Sequence, residues 1–120
     1  MSKRILVVDD EKPLANALVL KLNHAGYETT ACYDGSEALD ELTSQKYDLV
    51  LLDLIMPNMD GFEFMEKVKQ KGLKVPIVIS SNLSQTEDLD RAESLGAVDF
   101  FIKSDTPMAV VVEKVSKILG

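Results

Sequence analysis

Tryptophan is absent from this chain, cysteine and histidine occur once each, and no long apolar run is present. Each scarcity removes a class of explanation. A single cysteine, Cys32, cannot close an intramolecular disulfide, which sets aside disulfide-stapled scaffolds and fits a reducing cytoplasm. With no second cysteine or patterned histidine beside it, Cys32 reads as a small buried hydrophobe in a strand. His24 falls late in a helical segment close to Gly26, where a helix carboxyl end favours a cation; that is a surface position rather than a catalytic one. No apolar stretch approaches the roughly 20 residues that span a bilayer. The short run behind Lys3 and Arg4 stops at Asp9, too early for a secretory signal. Basic residues are also in deficit, 13 Lys and Arg against 20 Asp and Glu, for a net charge of −7. Nucleic-acid backbones need clustered Lys or Arg, so neither nucleic acid nor membrane is an expected partner.

What is present is enough for one core. The 120 residues are 46% hydrophobic and 28% charged, the composition of a single globular domain over residues 1–120. Apolar runs predict strands at Arg4 to Val8, Tyr27 to Cys32, Leu49 to Leu52, Pro76 to Ser81 and Val98 to Ile102. Helical stripes follow each of them. Leu14, Leu18 and Leu22, beside Ala15 and Val19, form the first, with Pro13 in its opening turn and Asp10 or Glu11 as its cap. Asp34 with Glu37 opens the second, which carries Ala38, Leu39 and Leu42. Asp60 caps the third, whose inward face is Phe62, Met65 and Val68. The box Ser84-Gln85-Thr86-Glu87 opens the fourth, a polar helix to Leu95 that is expected to be the most loosely attached. Thr106 caps and Pro107 starts the last, with Met108, Val111, Val112, Val115, Ile118 and Leu119 on its apolar face.

Five strand–helix alternations in one short chain imply a parallel sheet with right-handed crossovers and helices on both faces. An open doubly wound sheet fits this length, whereas a closed eight-unit barrel needs about 250 residues. In such a sheet ligands bind beyond the carboxyl ends of the strands. Those ends carry Asp9 and Asp10, Asp53, Ser81, and Lys103. Taken singly, each has a bland reading as a turn cap, strand-end hydroxyl or solvated charge; together they face one edge. Three carboxylates in one pocket repel, which raised pKa values or a cation must relieve. Oxygen ligands suit Mg²⁺, which takes one or two carboxylates plus waters and a phosphoryl oxygen. Lys103 adds a point charge and Ser81 a hydroxyl. Phosphoryl transfer needs little beyond such positioning and neutralisation, with Asp53 as nucleophile forming an aspartyl-phosphate.

These residues resemble the receiver domain of two-component response regulators. Ile-Leu-Val-Val-Asp9-Asp10-Glu, Asp53-Leu-Ile-Met-Pro57-Asn-Met-Asp60-Gly61, Pro76 to Ser81, and Lys103 match that family's motifs in order and spacing, over essentially the whole chain. The resemblance implies a flavodoxin-like α/β sandwich with strand order 2-1-3-4-5. It implies that Asp53 accepts phosphate from a histidine kinase or histidine phosphotransfer protein, as a phosphoacceptor assisted by metal rather than as an enzyme. Asp10, Asp53 and the backbone carbonyl of Ile55 would ligate Mg²⁺ or Mn²⁺, with Asp9 acting largely through water. Ser81 and Lys103 would contact the phosphoryl group, and Phe100 matches the aromatic switch position that follows Ser81.

Departures from the family pattern are equally local. Ser81 stands where threonine is commoner, and Asn82 where alanine or glycine is usual. Ser104 replaces the proline that usually follows the lysine in a cis bond. A cis bond before serine costs about 2.5–4 kcal/mol, so a trans bond and a different loop path are expected. Ile55 and Leu83 flank the expected phosphoryl site; this apolar pair is expected to shield it and slow autodephosphorylation. No output domain is expected after Gly120, whether the chain is a stand-alone receiver or an excised piece. Val110 lies off the expected core stripe, which would favour a partner or a homodimer through the face of the fourth helix, fifth strand and last helix.

Three rival functions make different demands on the sequence. A phosphatase resembling the haloacid dehalogenases needs a second Asp two residues after the first, where this chain has Ile55. A flavin carrier needs a phosphate-cradling loop where Asp9-Asp10-Glu11 would repel phosphate. A degenerate receiver serving as a constitutive interaction module would dispense with key residues that are all present here, but the loss of the proline at Ser104 keeps that alternative open.

Overall fold

The computed structural model describes residues 2–82 and 86–119. Its elements run β1 (Arg4–Val8), α1 (Lys12–His24), β2 (Glu28–Cys32), α2 (Gly35–Ser44), β3 (Leu49–Leu52), α3 (Gly61–Gln70), β4 (Ile77–Ser81), α4 (Thr86–Ser94) and β5 (Ala97–Ile102). A 3₁₀ turn (Lys103–Asp105) and α5 (Met108–Leu119) close the chain. The strands form one sheet in the order β2-β1-β3-β4-β5, and every neighbouring pair is parallel. That is the expected architecture. Among the described residues no helix is long and apolar enough to cross a membrane.

Alternation along each strand divides the core in two. Leu6, Val8, Val50, Leu52 and Ile79 point to the side covered by α2, α3 and α4. Ile5, Val7, Leu49, Leu51 and Val78 point to the side covered by α1 and α5. Because β1 and β3 are covered on both faces, their sequences are unbroken apolar runs. Ala15, Leu18 and Leu22 bury the stripe of α1, while Leu14 and Val19 are half-buried. In α3 the expected Phe62, Met65 and Val68 are buried, and Phe64 is buried with them. Among the described side chains of α4 only Ala92 is buried. The helix is nonetheless tied to α3, since the Arg91 guanidinium lies 4.2 Å from the centre of the Phe62 ring and 3.7 Å from Glu66.

Several boundaries differ from the expectations for identifiable reasons. Tyr27 precedes β2, its N–H donating to Leu22 at the end of α1. Pro76 precedes β4 but contributes its carbonyl, which accepts from Val50 N at 3.0 Å; a residue without an N–H can still give half a ladder step. Pro107 lies one residue before α5, and its carbonyl accepts from Val110 and Val111. Neither Asp10 nor Glu11 caps α1 through its side chain: Glu11 holds the cap position with no side-chain bond, and its own N–H donates to Asp9 Oδ1 at 2.9 Å. Asp34 and Asp60 do cap, accepting from Glu37 N at 2.8 Å and Glu63 N at 2.9 Å. The box expected at Ser84-Gln85-Thr86-Glu87 falls mostly outside the described residues.

Candidate functional site

Sheet register fixes where the reactive groups stand. Val8 pairs with Leu52, so the next residues, Asp9 and Asp53, leave the sheet side by side. Their amides continue the ladder for one more step, Asp9 N to Cys32 O at 3.0 Å and Asp53 N to Val8 O at 2.9 Å. Ser81 pairs with Ile102, which sets Lys103 at the tip of β5. Asp9, Asp10 and Asp53 each offer a carboxylate oxygen within 4.8 Å of the others. Asp9 is only 2% and Asp53 only 5% exposed, while Asp10 faces solvent.

The turn after β3 is shaped by close packing. A Cβ on Gly61 would lie 2.6 Å from the Asp53 carbonyl oxygen and 2.7 Å from Leu54 Cα, distances no side chain tolerates. The bare glycine lets α3 start against the strand end, and its N–H donates to Leu54 O at 2.9 Å. Asn58 takes φ 69° in the same turn, a left-handed conformation that asparagine accepts more readily than most residues.

Lys103 compensates much of the acidic charge. Its ammonium lies 2.7 Å from Asp9 Oδ2, 3.2 Å from Asp53 Oδ2 and 3.7 Å from Glu11 Oε1. Burial alone would lower the Lys103 pKa, but the Asp9 and Asp53 carboxylates outweigh it and hold the ammonium above its usual range. Asp53 moves the other way from an ordinary carboxylate, up to about 6. Burial is the main cause, with Lys103 opposing it and the Asp9 charge adding to it. Of the two forms of relief expected for crowded carboxylates, Lys103 supplies a nearby cation, while the raised Asp53 pKa owes more to burial than to the Asp9 charge.

A cavity of about 250 Å³ opens above these groups, lined by Asp10, Glu11, Asp53, Ile55, Ser81, Asn82 and Lys103. Asp9 does not line it but lies 2.7 Å from Lys103, which does. Ser81 is buried at the end of β4. Ile55 is 63% exposed on the rim, and its N–H donates to Asp53 Oδ1 at 3.3 Å. Leu83, its expected partner, lies outside the described residues. A larger groove of about 500 Å³ between α4 and β5 is lined by Asp90, Glu93 and Asp99 among others, but among the described residues it is Asp9, Asp10 and Asp53 that bring three carboxylates within 4.8 Å of one another, so size alone does not locate the site.

An all-oxygen donor set of three close carboxylates fits a hard divalent cation. Asp9 Oδ2 fits it too, being buried without a directed hydrogen bond; Lys103 stands beside it as an ion-pair partner, held by charge rather than by hydrogen-bond geometry.

Other expectations settle simply. Cys32 is buried, and its thiol is pushed up to about 12, chiefly by burial and then by Glu37 and Glu41, so it is inert. His24 is exposed in the last turn of α1. Phe100 is 44% exposed on β5, and all peptide bonds among the described residues are trans, that before Ser104 included. One contact at the site is not foreshadowed by the sequence: Asn82 Oδ1 accepts from the Ser104 N–H at 3.0 Å. The two departures from the family pattern that bring these residues together were visible in the sequence; their contact was not.

Comparison with known proteins agrees with this fold. Residues 5–114 match the family model described as response regulator receiver domain. The alkaline phosphatase synthesis transcriptional regulatory protein PhoP of Bacillus subtilis is 36% identical over 110 residues, covering 92% of this chain and 46% of that protein. Response regulator ArlR of Staphylococcus aureus is 39% identical over 100 residues, covering 83% of this chain and 45% of that protein. The chain thus spans about half the length of the curated relatives it matches. Among solved structures, the receiver domain of Francisella response regulator 1452 superposes with a TM-score of 0.91 at 27% identity, covering 98% of this chain and 96% of that one. The chemotaxis response regulator CheY4 of Vibrio cholerae gives 0.90 at 25%, covering 98% and 99%. A match over nearly the whole chain, together with acid, hydroxyl and ammonium groups on one sheet edge, makes this chain a member of the response regulator receiver domain family.

Proposed function

We propose that residues 1–120 act as one receiver domain in which Asp53 is the phosphoacceptor. The observation that carries this reading is the convergence of Asp53, Asp9, Asp10, Ser81 and Lys103 at one strand-end cavity. An Asp53 carboxylate oxygen attacks the phosphorus of a phosphohistidine. The P–O bond forms as the P–N bond breaks, and the departing imidazole leaves neutral, keeping its proton on the other ring nitrogen. Asp9, Asp10, Asp53 and the Ile55 carbonyl would hold Mg²⁺ or Mn²⁺, which supplies charge neutralisation to the transferring group. Lys103 shifts from pairing with carboxylates to pairing with a phosphoryl oxygen, and Ser81 binds another.

The donor is a histidine kinase or histidine phosphotransfer protein, and the setting is the cytoplasm. Output follows from population shift: phosphorylation must favour one arrangement of Ser81 and Phe100 over another. The exposed Val98, Phe100 and Val110 make the α4–β5–α5 side the expected contact for an output protein or a second copy.

Incubation with a small phosphodonor and Mg²⁺, followed by intact mass, tests the reading. The chain should gain one phosphoryl group and Asp53→Asn none. An unmodified wild type would return the interaction-module reading to first place.

A further inference from the structure

The bond between Asn82 and Ser104 joins the two strand tips that carry the hydroxyl and the ammonium, and we propose that it is a latch positioning Ser81 and Lys103 as one unit for phosphoryl transfer. The proposal rests on the receiver reading above but concerns residues that reading does not use.

Ser104 is the second residue of the 3₁₀ turn Lys103–Asp105. The first amides of such a turn have no acceptor inside it and need one from elsewhere. Here the acceptor comes from the tip of the neighbouring strand, Asn82 Oδ1 at 3.0 Å, 22 residues away in sequence. The two halves of the bond depend on each other. Proline at position 104 would carry no N–H and would leave the Asn82 oxygen without this donor. Alanine or glycine at position 82 would leave the Ser104 amide without this acceptor.

Each partner is covalently next to a cavity residue, Asn82 to Ser81 and Ser104 to Lys103. Ser81 also pairs with Ile102 in the ladder between β4 and β5. Strand pairing and latch together close a small ring around the roots of the two side chains. Without the latch, the tip of β5 has a sheet neighbour on one side only and its ladder ends at Ile102. With it, any shift of Ser81 toward a phosphoryl oxygen is handed directly to the turn bearing Lys103. Asn82 also lines the cavity. Its oxygen faces the donating amide, so the orientation of the side chain is set and its NH₂ remains as a donor.

The test is a mutant cycle on the whole chain: wild type, Asn82→Ala, Ser104→Pro and the double variant. The phosphorylation rate with acetyl phosphate and Mg²⁺ is read by intact mass. Each single change should slow it roughly three- to tenfold, what one neutral hydrogen bond is worth. The double variant should be no slower than the slower single, because both remove the same bond. Singles at the wild-type rate, or slowing that multiplies in the double, overturn the latch. A second readout does not depend on the reaction. The Ser104 amide should exchange slowly with solvent in wild type and rapidly in Asn82→Ala, and Asn82→Asp, which keeps an accepting oxygen, should restore protection. Equal exchange in all three also overturns it. An unphosphorylated wild type would instead refute the receiver reading, and with it any role for the latch in phosphoryl transfer.

Discussion

The centre and the edge of the sheet are built to different rules. In β1 and β3 every residue from Ile5 to Val8 and from Leu49 to Leu52 is buried. In β5 burial alternates, and Val98 is 56% exposed. The two most buried acids, Asp9 and Asp53, issue from the centre; Lys103, which neutralises them, issues from the edge and reaches across β4 to both. Charge is thus placed where water is excluded and balanced from a strand at the edge of the sheet. A receiver needs that division, since a fixed acceptor is of no use without a surface that can register its change.

The largest test of the contrast is Leu51→Ala, which empties a fully covered site between α1 and α5 and should lower the unfolding free energy by about 2–5 kcal/mol in urea denaturation. A loss well below that range would mean that the centre is not tightly packed.

An intermediate effect is expected from the buried acid. The Asp53 pKa is raised to about 6, so between about pH 4 and that value the folded chain keeps a proton that the unfolded chain gives up. Stability from this group is complete at low pH and falls as pH rises through that window. Asp53→Asn should therefore stabilise the fold by about 1–2 kcal/mol at neutral pH and by almost nothing near pH 4. Denaturant titrations at both values check it; a destabilised neutral-pH variant would mean that the attraction of Lys103 exceeds the penalty of burial. The smallest effect belongs to Val98→Ala on the edge, expected within about 0.5 kcal/mol of wild type by the same denaturation. A loss as large as that at Leu51 would erase the distinction.

The central strands were the most legible part of the sequence because burial on both faces leaves no polar residue to blur their limits. Β1 and β3 have the expected bounds to the residue. The ends of β2, β4 and α5 were harder, since Tyr27, Pro76 and Pro107 each contribute one backbone group to an element they do not belong to. Phe64 escaped because a stripe at one helical spacing does not reveal that α3 is covered on a broader arc. At the site, residue identities and strand ends brought out the acids, the hydroxyl and the lysine. Pairwise geometry was not legible: nothing in the chain's order says that Lys103 rests on Asp9 at 2.7 Å or that Asn82 meets Ser104. Such contacts depend on distances between loops, which periodicity does not encode.

The parallel register has one last consequence. Asp9, Asp53 and Lys103 each follow the last residue of a different strand and meet only once the intervening helices have crossed over and the sheet has closed up. A nascent or misassembled chain carries all three residues yet has no place for a phosphoryl group. Competence to receive the signal therefore requires that the sheet be assembled.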